Sequence, residues 1–141
     1  MAGASVAFAE RETPLADTVP SLDVTHVSLV PTQLRRTLAT TEGRQALGRL
    51  KAILLGGGPL PASLLEEAEV SALPVYATYG MTEMCSQIAT TPGEGALVPL
   101  RTPARALIPG TVRVTMDGEI QVRGETLFSG YLRGNAIDLP L

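Results

Sequence analysis

At 141 residues, 45% of them hydrophobic and 18% charged, the chain has the size and balance of one globular domain with its own core, not of a disordered segment. A net charge of -3 with no cluster of Lys and Arg argues against a nucleic-acid partner, and no apolar run reaches bilayer length, so no membrane partner is expected. The single Cys85 leaves no internal disulfide and the lone His26 no His/Cys zinc cluster, which fits a reducing, cytoplasmic setting.

In chain order, residues 4–9 read as a strand, entered with no polar lead-in. Pro14 to Leu22 gives one or two helical turns with Leu15, Val19 and Leu22 on one face. Val24 to Val30 is β-branched and roughly alternating, the pattern of a strand, and His26 on it has no acidic partner close by that would make it a base. Pro31 suits the first position of a helix, where Leu34 and Leu38 then share a face and Arg35 and Arg36 are solvated. Thr41 to Leu50 reads as a loop and one further helical turn. Lys51-Ala52-Ile53-Leu54-Leu55 is a continuous apolar run, as in a strand buried on both faces. It enters Gly56-Gly57-Gly58-Pro59-Leu60-Pro61. A second proline-led helix follows, turning Leu64, Leu65 and Ala68 inward, and Leu73 to Thr78 is the next strand.

Strand, helix, strand, helix, strand is the order of a parallel α/β sheet, whose ligands sit beyond the carboxyl ends of the strands. Gly56–Pro59 and Tyr79–Glu83 both fall there, after two successive strands. Tyr79 offers a π face for a base, Thr82 a hydroxyl for a phosphate oxygen, and Glu83 a carboxylate for a hard cation. Gly80 lets the backbone approach a ligand with no side chain in the way. The plainer alternative is a strand end with a turn. The triple glycine lacks the spacing of a dinucleotide fingerprint, and no Lys-Ser/Thr pair follows it, so by itself it is equally a tight strand-to-helix turn. Met84 and Cys85 read as packing and Ser86 and Gln87 as strand-edge polarity.

From Pro92 the texture changes. Thr91-Pro92-Gly93-Glu94-Gly95 is a loop, and Arg101 to Pro109 has no helical period. Val112, Val114 and Met116 alternate with polar residues, Asp117-Gly118 supplies a two-residue hairpin turn, and Ile120 and Val122 alternate on the return. Gly124 breaks the strand before Leu127-Phe128-Ser129-Gly130-Tyr131, and Arg113, Arg123 and Arg133 are expected in solvent. The expected architecture is α/β: a parallel α/β sheet portion over 1–91, then an antiparallel β, barrel-like portion over 92–141. Apolar residues at both ends give the chain the look of a fragment, with sheet edges open to self-association.

The series Gly56-Gly57-Gly58-Pro59-Leu60, Tyr79-Gly80-Met81-Thr82-Glu83, Gly118-Glu119-Ile120-Gln121-Val122-Arg123-Gly124 and Gly130-Tyr131 resembles the adenylate-forming acyl-CoA synthetase superfamily in order and spacing. That resemblance implies a portion of a larger adenylate-forming domain and a two-step ligase using ATP, Mg2+, CoA and a small-molecule carboxylic acid. It implies catalytic roles for Thr82 and Glu83, with Glu83 on the metal and Thr82 on the α-phosphate. Tyr79 would stack on adenine, Gly57, Gly58 and Pro59 would line the base and acyl pocket, and Gly80 and Met81 would lie beside the reacting carboxylate. Only through this resemblance do Ser86 and Gln87 become candidate substrate contacts. The Lys-bearing phosphate loop, the Thr-Gly-Asp motif and the catalytic Lys of the superfamily have no counterpart in these 141 residues. Other acyl- or aryl-CoA ligases, a peptide-synthetase adenylation domain and a non-catalytic fragment of the same fold remain alternatives.

Overall fold

Three strands of the chain run parallel because helices fill the connections between them. In the computed structural model, which describes residues 3–10, 12–92, 102–134 and 136–138, helix α1 (Leu15–Ser21) precedes strand β1 (His26–Leu29). Helices α2 (Pro31–Leu38) and α3 (Thr41–Gly48) lead to β2 (Ala52–Leu55), and α4 (Ala62–Val70) leads to β3 (Val75–Met81). Parallel pairing needs such crossovers. Val27 sits opposite Ile53, and Ile53 opposite Val75.

The sheet then changes sense. β3 turns back through a 3-10 turn (Thr82–Met84) into β4 (Ser86–Thr90), which pairs with it antiparallel, and β5 (Arg105–Ala106) adds to β4. The result is one mixed sheet in the order β1-β2-β3-β4-β5. Two separate antiparallel ribbons follow, β6 (Val112–Val114) with β7 (Ile120–Val122) and β8 (Tyr131–Arg133) with β9 (Ala136–Asp138). The α/β expectation therefore holds for the first three strands and the antiparallel one for the later segment. The barrel-like closure does not: the described residues contain no closed barrel, and strands of three residues are too short to tilt and close on one another.

The core lies between the helices and the sheet. Leu34, Leu38, Leu47, Ile53, Leu55 and Leu64 are all within 1% of full burial, each contributing about 1.5–3 kcal/mol of apolar transfer. Pro31 opens α2 as expected, and the Val30 N–H donates to Gln33 Oε1 at 3.0 Å to finish the helix start. Arg44 on α3 pairs with Glu67 on α4 at 2.7 Å, an exposed bridge that contributes at most about 1 kcal/mol.

Four expectations need correction. Residues 4–9 form no strand; Val6 and Phe8 are exposed, so their alternation has no core face to meet. Thr41–Leu50 is not mostly loop: Thr40 caps α3 by accepting from the Gly43 N–H at 3.1 Å, and burial of Ala46 and Leu47 outweighs the glycine inside it. β2 alternates between half-buried and buried positions, so only one of its faces is fully covered. The hairpin turn has three residues, Met116-Asp117-Gly118, because Thr115 N–H donates to Glu119 O and Gly118 N–H to Thr115 O, with Gly118 left-handed at φ 87. Arg113 and Arg123 are exposed as expected. The loop residues 93–95, the Arg133 side chain and residues 139–141 lie outside what is described. Among the described residues no helix is long and apolar enough to cross a membrane.

Candidate functional site

β1, β2 and β3 all end at the same edge of the sheet, and their carboxyl ends open into a cleft of about 370 Å3. Its lining draws on Leu29 and Val30 after β1, Gly56 and Gly57 after β2, and Thr78 with Gly80 to Thr82 on β3 and beyond. Ser86 and Gln87 complete it from β4. A larger cavity of about 870 Å3 lies between residues 3–9, α1 and β1 and contains none of the motif residues.

The glycines at this edge differ in what they do. A Cβ on Gly56 would lie 2.2 Å from Thr78 Oγ1, so β2 and β3 meet too closely there for any side chain. Gly57 has φ +78, a left-handed conformation that favours glycine, and a Cβ there would lie 3.1 Å from Val30 Cγ1. Gly58 has open space where a Cβ would go. At Gly80 the space is filled by the protein itself: a Cβ would lie 2.2 Å from Ser86 O and 2.7 Å from Gln87 Cα. The register irregularity between Tyr79 and Gly80 marks the same crowding. Gly80 is therefore required by the β3–β4 approach, whatever ligand comes near it.

The hairpin between β3 and β4 presents the polar groups. Met84 is buried and anchors the 3-10 turn, Cys85 leaves it left-handed at φ 61, and the Cys85 N–H donates to Thr82 O at 3.0 Å. This pins Thr82 and Glu83 at the tip. Glu83 is held from a distance: the Tyr131 hydroxyl donates to its Oε1 at 2.5 Å, and the Phe128 N–H donates to its carbonyl at 2.7 Å. The Tyr131 hydrogen bond, with help from the residue's own backbone, lowers the Glu83 pKa below the ordinary carboxylate value and raises that of Tyr131. Glu83 is thus a carboxylate across the neutral range.

Of the residues expected at the site, Gly57, Gly80, Met81 and Thr82 share the cleft. Gly58, Pro59, Tyr79 and Glu83 are not among its lining, although Tyr79 is 39% exposed and Glu83 directly follows Thr82. Ser28, Leu29, Val30 and Gln33 belong to the cleft and to no motif. Their signal is register: Leu29 pairs with Leu55, so the end of β1 must lie beside the glycine turn. Among the described residues no group of three His, Cys, Asp or Glu side chains could hold a metal ion by itself. One carboxylate fits Mg2+ nonetheless, because that ion commonly takes one or two carboxylates and completes its shell with water and substrate phosphates.

A parallel α/β edge that brings a glycine turn and Gly80 to Thr82 into one cleft beyond the strand ends places the chain among α/β proteins with a ligand-binding edge of that kind. The AMP-binding enzyme family matches residues 1–132, and the chain belongs to that family. Among similar proteins, the 2-succinylbenzoate–CoA ligase of Bacillus licheniformis is 40% identical over 122 residues, which are 80% of this chain and 25% of that one. E. coli MenE with a bound analogue of OSB-AMS is 30% identical with a TM-score of 0.64, covering 91% of this chain and 26% of the other. The o-succinylbenzoate coenzyme A synthetase of Bacillus subtilis, in complex with ATP and magnesium ion, is 32% identical with a TM-score of 0.60, covering 83% and 27%. The chain spans about a quarter of the length of the curated relatives it matches.

Proposed function

We propose that these residues form the adenine and metal side of the active site of an AMP-forming acid–CoA ligase. The observation that supports it best is the common cleft of Gly57 and Thr82 at the carboxyl ends of successive parallel strands. In the reaction, the substrate carboxylate attacks the α-phosphorus of ATP and pyrophosphate leaves, giving acyl-AMP. The thiol of CoA then attacks the acyl carbon, AMP leaves and a thioester forms. Thr82 donates its hydroxyl to the α-phosphate, where negative charge builds in the first step. Tyr79 stacks on adenine, while Gly57, Gly58 and Pro59 lie with their backbone against the base and acyl group. Gly80 and Met81 flank the reacting carboxylate. Glu83 would hold Mg2+, which would supply positive charge against the phosphates there.

We take o-succinylbenzoate as the acyl substrate, on the strength of the ligases named for it at 33–40% identity. We place the enzyme in the cytoplasm, where ATP and CoA are available and an exposed Cys85 stays reduced. Pyrophosphate exchange by a full-length ligase carrying this segment, run across a panel of carboxylic acids, tests both points. Exchange should be fastest with o-succinylbenzoate, and Glu83→Ala should lower it ~100-fold or more. Wild-type exchange in Glu83→Ala would instead remove Glu83 from the metal, no exchange with any acid in the unmutated protein would favour a non-catalytic member of the fold, and a faster acid elsewhere in the panel would move the substrate.

A further inference from the structure

We propose that Tyr131 is a positioning residue for Glu83: its hydroxyl, delivered from ribbon β8–β9, fixes the carboxylate that the proposed ligase uses for Mg2+. The inference rests on that reading of Glu83. The geometry behind it is a two-point grip. Glu83 and Tyr131 are 48 residues apart in sequence, yet the phenol reaches Oε1 at 2.5 Å, while three residues before Tyr131 the Phe128 N–H takes the Glu83 carbonyl at 2.7 Å. Main chain and side chain of one residue are thus held by one short segment.

The tyrosine is oriented independently of the carboxylate. Its ring packs edge-on against Phe128, centroids 4.7 Å apart at 78°. That contact belongs to the rings, so a phenylalanine at 131 preserves it. The ring is also 52% exposed, which makes it a poor core residue. What the hydroxyl adds is a directional hydrogen bond to a half-exposed glutamate on a hairpin tip, a side chain that otherwise has several rotamers to choose from. A neutral donor does this without cancelling the negative charge a cation needs. It engages one oxygen and leaves the carboxylate ionised, as outer-shell partners of metal ligands do.

The test uses a full-length ligase bearing these residues, its Tyr131→Phe and Glu83→Gln variants, and two binding measurements: AMP without metal, and a non-hydrolysable ATP analogue titrated with Mg2+. Tyr131→Phe is expected to raise the Mg2+ concentration for half-saturation roughly tenfold, with AMP affinity and melting temperature unchanged. Glu83→Gln should raise it at least as far. A wild-type Mg2+ response in Tyr131→Phe, with Glu83→Gln impaired, overturns the positioning role and leaves the ligase reading intact. A wild-type response in Glu83→Gln overturns both. Equal loss of AMP and Mg2+-dependent binding in Tyr131→Phe, or loss of its fold, makes the tyrosine structural and also overturns the proposal.

Discussion

Gly58 and Gly80 look alike in the sequence and carry opposite expectations. At Gly80 a methyl group collides with the backbone of Ser86 and Gln87, and neither strand can retreat without breaking the β3–β4 ladder. Gly80→Ala should therefore cost about 1–3 kcal/mol of stability, read as a lower urea midpoint, before any ligand is considered. At Gly58 the added methyl meets nothing within 4 Å and the backbone is not left-handed. Gly58→Ala should leave stability within about 0.5 kcal/mol yet weaken nucleotide binding, if the glycine lies against the base. A stable Gly58→Ala protein with undiminished AMP affinity would remove Gly58 from the site. The sequence marks both glycines, but it cannot separate them, because the cause lies in residues on a neighbouring strand.

Among the elements, the hairpin at 115–119 shows what local pattern leaves out. Alternation of Val112 and Val114 against Ile120 and Val122 was enough to find both strands and their pairing. The Asp-Gly pair suggested a two-residue turn, and the extra residue enters because the Thr115 hydroxyl donates to the Asp117 carboxylate and accepts the Glu119 N–H at 2.9 Å. That hydroxyl, then the residue's own backbone, lowers the Asp117 pKa below the ordinary aspartate value. The sign follows directly: the folded turn favours the ionised form, so its contribution is complete above the unfolded pKa and is lost as pH falls through the lowered folded value. Asp117 should titrate below an ordinary aspartate in carbon-detected NMR, and Thr115→Val should return it toward that value. An unshifted Asp117 in the wild type would mean the turn is not held this way. Helix α3 is the complementary case. The sequence predicts a single turn there, and Gly43 lies inside it, yet buried Ala46 and Leu47 join the core and hold Thr41–Gly48 helical.

For the whole molecule, the parallel strands and their common edge were legible because apolar runs, prolines and glycines punctuate them in order. Tyr131 at Glu83 was not, since nothing local ties two residues so far apart. Nor, among the described residues, was the lack of a core beneath much of the later segment. Met116 is fully exposed, Leu132 74% and Val114 67%, and at the other end of the chain Phe8 is 89% exposed. In a larger domain such surface meets further chain. On these 141 residues alone it faces water, and β1 and β5 stand at the two edges of the sheet. Exposed apolar patches and unpaired strand edges both drive association. The 141-residue polypeptide should thus show a concentration-dependent mass above 14.8 kDa by light scattering. A mass that stays at the monomer value into the millimolar range would show that these residues cover one another in solution.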